Sequence, residues 1–246
     1  MSKKLNITSS GLHIIAMVFM FCDHIGKTLF PTAEWFVCIG RMAFPIFAFM
    51  IVEGYFHTHS LKGYVRRMLI GAVCAEIPFN LMVGKSIFLP SYQNVFWTLL
   101  IGLLVITFLE MQKMYPRALR ISISCCTILL GVMLADICMT DYGGIGVLTV
   151  LVFYFFRSPT WFSRICQVVC MFVLNICMFG GYSYAVQVLG YPIEIAQQGF
   201  AILSLLPIWM YQGQKGIRSK RFQSFCYFFY PAHMLLLYIA SQWIYA

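Results

Sequence analysis

Six polar residues lie inside otherwise apolar stretches, and all six are of residue types that are common in catalytic and binding sites. They are Asp23, His24, Arg41, Glu76, Asn80 and His233. An ionisable side chain at the centre of a membrane-spanning helix costs about 2.5–3.5 kcal/mol on insertion scales, so it normally faces a polar interior and marks a site. A histidine that is neutral near pH 7 suits proton abstraction, and an arginine suits an anionic group or a developing oxyanion. These residue types therefore favour proton transfer and the binding of negative charge.

Helical rise places most of these residues at similar depths. With about 1.5 Å per residue, His24 falls roughly 5 Å outward of the middle of the first apolar run, and Arg41 roughly 6 Å outward of the middle of the second. Glu76 lies near the centre of the third run, and Asn80 lies one turn further out on the same face. His233 falls near the centre of the last run. We expect these five residues to meet in the outer-central part of one helix bundle.

Each of these residues also has a structural interpretation. Asp23 and His24 could pair with Arg41 or Glu76 only to hold helices together, and His233 could be a hydrogen-bonded core histidine. Neighbouring residues point about 100° apart on a helix, so Asp23 is poorly placed to orient His24. A carboxylate from another helix is better suited, and Glu76 is the first choice.

The composition identifies the class of protein. Hydrophobic residues make up 61% of the 246-residue chain, charged residues 10%, and the mean hydropathy is +0.82. Soluble domains carry about a quarter charged residues, so the chain is predicted to be a polytopic membrane protein. The net charge of +9 comes from small basic groups between apolar runs, without a basic face that would favour nucleic acid. No spacing of Cys, His and acidic residues indicates a metal site.

The apolar runs predict an all-α bundle of about nine spanning helices in a single domain over residues 1–246. A span needs about 20 residues for roughly 30 Å of hydrocarbon. Such runs fall near 11–31, 35–56, 66–84, 94–112, 119–138, 144–157, 161–180, 197–212 and 225–244.

The basic residues predict the orientation of these helices. With the N-terminus in the cytoplasm, the outer segments hold only Lys27 and Lys85, and Arg41 lies within a run. By the positive-inside rule the remaining basic residues belong to the cytoplasmic side. They are Lys3, Lys4, Lys62, Arg66, Arg67, Lys113, Arg117, Arg120, Arg157, Arg164, Lys215, Arg218, Lys220 and Arg221. Nine helices would then place the C-terminus outside.

Five ordered motifs run through nearly the whole chain. They are Asp23-His24-Ile25-Gly26; Gly40-Arg41-Met42-Ala43-Phe44-Pro45-Ile46-Phe47 with Glu53-Gly54-Tyr55 and His57-Thr58; Ala75-Glu76-Ile77-Pro78-Phe79-Asn80; Gln93-Asn94-Val95-Phe96; and Tyr230-Pro231-Ala232-His233. Together they resemble the TraX family, integral membrane proteins named for the acetylase that modifies the N-terminus of conjugative F-type pilin. The chain is also more distantly similar to the membrane acyltransferases of type 3, which carry an essential histidine in the first helix and use a cytoplasmic acyl-CoA.

The resemblance implies a bacterial inner-membrane acetyltransferase that moves an acetyl group from cytoplasmic acetyl-CoA to an amine or hydroxyl. A pilin-like peptide N-terminus is one such acceptor. In this scheme His24 is the general base, Glu76 orients it, Arg41 and Asn80 hold the acceptor or the oxyanion, and His233 assists. Asp23 completes the candidate catalytic set.

The phosphates of coenzyme A would meet basic inner loops. The candidate residues are Lys62, Arg66, Arg67, Lys215, Arg218, Lys220 and Arg221. These loops could instead serve as topology signals and contacts for anionic lipids.

Two other functions use the same residues. In a proton-coupled transporter or channel, the buried His, Glu and Arg would relay protons or ions. In a structural membrane subunit, they would act only through stability. The sequence leaves open the acceptor, the acyl chain and the oligomeric state.

Overall fold

The structure, a computed structural model, describes residues 6–188, 191–214, 216–217 and 219–245. These described residues form ten α-helices, in chain order: α1 Ser9–Thr28, α2 Trp35–Gly40, α3 Ala43–His57, α4 Leu61–Gly84, α5 Val95–Met111, α6 Arg117–Ile137, α7 Gly143–Phe155, α8 Trp161–Phe172, α9 Leu205–Met210 and α10 Lys220–Ile244. Shorter helical segments are the 3-10 turn Gln112–Met114, the π-helical turn Val173–Met178 and the 3-10 helix Gln197–Ser204.

Within the described residues, seven helices are long and apolar enough to cross a membrane. They are Ser9–Thr28, Trp35–His57, Leu61–Gly84, Val95–Met114, Arg117–Ile137, Trp161–Met178 and Arg221–Ile244. The predicted helical, multi-pass class is therefore confirmed. Two of the nine predicted spans are shorter: Gly143–Phe155 is an apolar helix of 13 residues, and 197–212 divides into a 3-10 helix and the six-residue α9. The count of nine and the orientation stay predictions.

A β-hairpin that the apolar pattern did not predict lies between the last spans. Strands β1 (Ser183–Val188) and β2 (Tyr191–Ala196) pair antiparallel. Gly180 and Gly181, both at positive φ, break the helical segment just before β1. The segment falls between two of the predicted spans, 161–180 and 197–212, and its short strands contain the Tyr, Val and Ile residues that favour extended backbone.

The chain forms two compact units, and its passage from the first to the second falls within α3. The first unit consists of residues 1–47 and 158–246. In this unit α1 packs against both α2 and α10. A Cβ atom at Gly40 would lie 2.7 Å from the Cα atom of Asp23, and one at Gly26 would lie 2.7 Å from the Cβ atom of Phe36. Glycine at these two positions therefore lets α1 and α2 approach at backbone distance.

The second unit, residues 48–157, is built around α5, which packs against α4, α6 and α7. Its core consists of fully buried apolar side chains: Leu103, Ile106, Val147, Val150 and Phe153. Because α5 and α7 are apolar on all sides, they suit the interior of a helix bundle.

Candidate functional site

Two histidines from opposite ends of the chain form a hydrogen-bonded pair in the first unit. His24 lies on α1 and His233 lies on α10. The Nδ1 atom of His24 is 2.7 Å from the Nε2 atom of His233, and the two rings are almost parallel, at 9°. His233 is 3% exposed, whereas His24 is half-buried. The pair is thus buried on the α10 side, and the residue on α1 is only partly exposed.

The partners of this pair determine which nitrogen of His24 can accept a proton. The Nδ1 atom of His233 is 2.7 Å from the carbonyl oxygen of Phe229. A carbonyl oxygen only accepts, so His233 donates through Nδ1–H, and its Nε2 atom carries a lone pair. His24 must then donate its own Nδ1–H to that lone pair. In the neutral pair the basic nitrogen of His24 is therefore Nε2, for which no described residue provides a hydrogen bond.

Aromatic rings hold the histidine pair in place. The ring of Phe229 stacks on His233 with centroids 4.8 Å apart, and Phe21 contacts His233 edge-on at 5.9 Å. Tyr230 meets both imidazoles edge-on, at 6.2 Å from His24 and 5.9 Å from His233. Rings packed in this way restrict imidazole rotation, so the orientation of His24 is preorganised.

Arg41 is linked to the β-hairpin by a chain of hydrogen bonds. Its Nη2 atom donates to Oε1 of Gln197 at 3.2 Å, and Nε2 of Gln197 donates to the hydroxyl of Tyr184 at 2.5 Å. The thiol of Cys38 on α2 also points to that hydroxyl, at 3.7 Å. Burial and the contact with Cys38 raise the pKa of Tyr184 to about 12. The phenol therefore stays protonated at neutral pH and serves as a fixed hydrogen-bonding group.

Asp23 forms an ion pair with a residue of its own helix, α1. Its Oδ2 atom accepts from Nζ of Lys27, one turn away, at 2.5 Å, whereas its Oδ1 atom is buried without a hydrogen bond from any described residue. Lys27 and Arg41 both lie within electrostatic range of His24. Because Asp23 pairs with Lys27, the positive charge near the imidazole comes mainly from Arg41, and a nearby cation suits a site where negative charge develops.

Glu76 and Asn80 belong to the second unit. Oε2 of Glu76 accepts from Nε1 of Trp97 at 3.0 Å and from Nδ2 of Asn94. Asn94 is fully buried and caps α5 by accepting from the amide of Phe96 at 3.1 Å. Asn80 is 2% exposed and donates to the carbonyl of Ile87 at 3.2 Å. Helices α4 and α5 are thus tied together around one carboxylate.

The predicted site residues fall in both units. Asp23, His24, Arg41 and His233 belong to the first unit, where the structure joins His24 to His233. Glu76 and Asn80 belong to the second unit. The partner that fixes the tautomer of His24 is His233, and the orientation of His24 by Glu76 stays a prediction.

The residues proposed to bind coenzyme A lie at helix starts. Lys62, Arg66 and Arg67 stand on the first two turns of α4, where Lys62 and Arg66 are exposed and the guanidinium of Arg67 lies over the ring of Tyr64 at 5.8 Å. Arg221 is exposed on the first turn of α10. Lys215, Arg218 and the side chain of Lys220 lie outside the described residues.

Sequence reasoning missed two members of the site. Gln197 contacts Arg41 directly and Tyr184 contacts Gln197. Tyr184 falls between the predicted spans 161–180 and 197–212, and Gln197 is the first residue of the second span. The available signal was the pair Gln197-Gln198 at the head of that run, because amides rarely begin an apolar helix without partners. Among the described residues, no group of three or more His, Cys, Asp or Glu could hold a metal ion.

The helical fold and the paired histidines define a multi-pass membrane protein with a candidate catalytic site. The chain matches the TraX protein family over residues 8–241 and belongs to that family. It is also similar to the "Probable fimbrial assembly protein FimC, serogroup H1" of Dichelobacter nodosus, with 25% identity over 269 aligned residues that cover 99% of this chain and 100% of the relative. No solved structure gives a significant match.

Proposed function

We propose that the protein is a membrane acetyltransferase that moves an acetyl group from cytoplasmic acetyl-CoA to an amine or hydroxyl of a pilin-like peptide. The hydrogen bond between His24 and His233 carries this proposal, because it leaves Nε2 of His24 as a base in a preorganised ring. Membership of the TraX family supports it. The name of the Dichelobacter relative, a probable fimbrial assembly protein, supports a pilin subunit as the acceptor.

The reaction needs one proton acceptor and one stabiliser of negative charge. As the acceptor's nitrogen or oxygen attacks the thioester carbon, Nε2 of His24 takes its proton, and the carbonyl oxygen becomes an oxyanion. The positive charge of Arg41 stabilises that oxyanion. When the tetrahedral intermediate collapses, the carbon–sulfur bond breaks and the imidazolium returns the proton to the leaving thiolate. The products are the acetylated acceptor and free coenzyme A.

In this proposal each unit has exposed basic residues at the cytoplasmic end of a helix, and each of these two groups is a separate candidate for the donor site. Lys62 and Arg66 begin α4, and Arg221 begins α10. Arg and Lys bind phosphate groups by charge-assisted hydrogen bonds, so they suit the phosphates of coenzyme A. A cytoplasmic donor also explains why these residues lie on the side that the positive-inside rule assigns to the cytoplasm.

Thermal stabilisation by added ligand tests whether the protein binds the proposed acetyl donor. The purified protein in detergent is heated with and without acetyl-CoA and free coenzyme A, because a ligand held only by the folded state raises stability by about 2.7 kcal/mol at a hundredfold excess over Kd. We expect a clear rise in Tm that is lost when Lys62, Arg66 and Arg221 are changed to Gln. Unchanged stabilisation in that triple variant would contradict the donor site.

A proton relay is the second candidate, because two hydrogen-bonded imidazoles can pass a proton between them. It predicts proton or solute flux in proteoliposomes that His24→Ala abolishes, with no release of thiol from acetyl-CoA. Thiol release from acetyl-CoA that depends on an added peptide, in the absence of such flux, would favour the acetyltransferase.

A further inference from the structure

A groove in the first unit opens beside the end of a spanning helix. Its volume is about 620 Å³, within the range of about 300–1,000 Å³ that is typical of small-molecule sites. One wall comes from the end of the span Trp161–Met178, the second from the 3-10 helix Gln197–Ser204 and the third from the β-hairpin. The large apolar side chains along these walls are Phe172, Ile176, Ile195, Phe200 and Leu203.

A buried hydrogen bond fixes two of the walls. Asn175 belongs to the π-helical turn Val173–Met178, and its Oδ1 atom accepts from Nε2 of Gln198 at 3.1 Å. Both amide side chains are buried. The π-helical turn and the 3-10 helix are therefore held side by side, and π-helical turns are frequent at functional sites. The groove is thus a built feature of the folded unit.

Two polar side chains of the β-hairpin, Ser183 and Glu194, also line the groove. Ser183 pairs with Ala196 across the strands, and Glu194 lies two residues before Ala196, so both side chains lie on one face of the hairpin. Tyr184 lies on the opposite face, where its hydroxyl contacts Cys38 and Gln197. Glu194 is exposed, and none of the ion pairs among the described residues includes it. Its carboxylate therefore provides a negative charge at the polar end of the groove.

The position of the groove selects a lipid as its occupant. Phe172 is exposed and lies within a span, so it has the depth of the hydrocarbon chains of a bilayer. The hairpin follows the end of that span, where the hydrocarbon gives way to head groups. A lipid offers an alkyl chain at the first depth and a polar group at the second. A peptide in the same groove would place backbone N–H and C=O groups against apolar walls, where they lack hydrogen-bond partners.

We propose that this groove binds one phospholipid with a cationic amine in its head group, the chemistry of phosphatidylethanolamine. The alkyl chain lies between Phe172 and Leu203, the ammonium group donates to the carboxylate of Glu194, and the hydroxyl of Ser183 donates to the phosphate. Phosphatidylglycerol has the phosphate without the cation, so Glu194 disfavours it. The lipid site goes beyond the proposed acetyl transfer and does not rest on it, because no residue lining the groove belongs to the histidine pair or contacts Arg41.

The affinities for three lipids with identical acyl chains test the site. The purified full chain in a nonionic detergent is titrated at low salt with phosphatidylethanolamine, phosphatidylcholine or phosphatidylglycerol, and bound lipid is counted by native mass spectrometry. We expect one retained phosphatidylethanolamine, with an affinity about fivefold above that of phosphatidylglycerol, the size of an exposed ion pair. Phosphatidylcholine has the cation without N–H donors, so its affinity should fall between the two.

Two variants locate the lipid, each with a matched control. Glu194→Gln removes the charge at similar volume, so the preference for phosphatidylethanolamine over phosphatidylglycerol should fall to within about twofold. Glu34→Gln changes another exposed carboxylate of this unit, outside the groove, and should keep the preference. Leu203→Trp fills the groove with a larger side chain, so most of the bound lipid should be lost. Leu206→Trp makes the same change at an exposed position outside the groove and should bind as the wild type does.

Several outcomes would overturn the lipid site. Equal wild-type affinities for phosphatidylethanolamine and phosphatidylglycerol would do so, as would an unchanged preference in Glu194→Gln or equal lipid retention by Leu203→Trp and Leu206→Trp. Binding of a peptide of Leu and Lys residues without retention of any lipid would assign the groove to a peptide instead. Because the titrations contain no acyl donor or acceptor, their result is independent of whether the protein transfers acetyl groups.

Discussion

His24 and His233 are 209 positions apart in the chain, yet their Nδ1 and Nε2 atoms lie 2.7 Å apart. The second nitrogen of His233 is committed to the carbonyl of Phe229, also at 2.7 Å. The direction of hydrogen bonding thus runs from His24 through His233 to the backbone of α10. Under the proposed function, this arrangement assigns His233 the role of a positioning residue, which holds the base His24 without touching the reacting atoms.

If His233 positions His24, two substitutions of His233 should differ in their effect on kcat. His233→Leu removes the acceptor for His24 Nδ1–H, so we expect kcat to fall by about 10²-fold, near the low end of a general base's contribution. His233→Gln retains an amide that can accept from His24 and donate to Phe229, so kcat should stay within about tenfold of wild type. Steady-state acetylation assays at several pH values measure both, and equal losses in the two variants at unchanged Tm would contradict the positioning role.

The contact between α1 and α2 depends on Gly40. A methyl group there would meet the backbone of Asp23 at 2.7 Å, which overpacks the interface at a cost of about 1–3 kcal/mol. The gain in helix propensity from Gly to Ala, about 1 kcal/mol, does not compensate at the upper end of that range. We expect Gly40→Ala to lower Tm and activity together.

Gly11→Ala is the matched control on α1. The nearest atom to its new methyl group is a side-chain methyl of Ile7 at 3.3 Å, which can shift by a few tenths of an ångström. Thermal denaturation of both variants in detergent checks the comparison. A Gly40→Ala protein as stable as Gly11→Ala would show that the close approach is not needed.

Gln197 is expected to position Arg41. Gln197→Leu removes the 3.2 Å hydrogen bond that the Arg41 guanidinium donates to Gln197, so we expect kcat to fall about tenfold, the effect of about 1.4 kcal/mol in the transition state. Gln198→Leu is the control, because Gln198 donates to Asn175 at 3.1 Å in another buried contact. A similar loss of kcat in both variants would assign the effect to stability.

The raised pKa of Tyr184 predicts that the protein loses stability at high pH. Its pKa is about 12 in the folded protein, against about 10 for an unperturbed tyrosine. The unfolded state therefore ionises first, and the stability that this phenol contributes is present below pH 10 and is lost as the pH rises towards 12. From pH 9 to pH 11, the wild type should lose stability relative to Tyr184→Phe.

The exposed Tyr182, two residues earlier, provides the control for that comparison. Tyr182→Phe should follow the wild type across the same pH range in thermal denaturation. If Tyr184→Phe also follows the wild type, the phenol is not held in a buried, hydrogen-bonded environment.

Hydropathy predicted the helical membrane fold well, because a bilayer accepts few structures besides long apolar helices. It placed every one of the seven long helices, since each is a predominantly apolar segment of 18–24 residues. It did not distinguish the segment 197–212 from a continuous spanning helix, whereas in the structure this segment begins with a 3-10 helix at Gln197-Gln198-Gly199. The β-hairpin was missed because its strands are only six residues long. Their residues alternate, as in Ser-Tyr-Ala-Val-Gln-Val and Tyr-Pro-Ile-Glu-Ile-Ala, but hydropathy taken over spans of about 20 residues does not detect such a short period-two pattern.

The individual site residues were predictable by type, whereas their partners were not. A histidine or glutamate within an apolar run stands out in the sequence, so His24, His233 and Glu76 could all be selected as candidates. Which side chains form hydrogen bonds with one another depends on helix rotation and packing, and a hydropathy pattern contains no information about either. The bond between His24 and His233 and the contact between Arg41 and Gln197 therefore emerged only from the structure.

The central claim is that His24 is the base of an acetyl transfer, and one measurement tests it most directly. Wild-type protein, His24→Ala and His13→Ala are incubated with isotopically labelled acetyl-CoA and a pilin-type peptide bearing a free N-terminus, and the acetylated peptide is measured by mass spectrometry. His13 lies on the same helix and bonds the carbonyl of Ser9, away from the histidine pair. We predict labelled peptide from the wild type and His13→Ala, and none from His24→Ala at unchanged Tm. Full acetylation by His24→Ala would contradict the account.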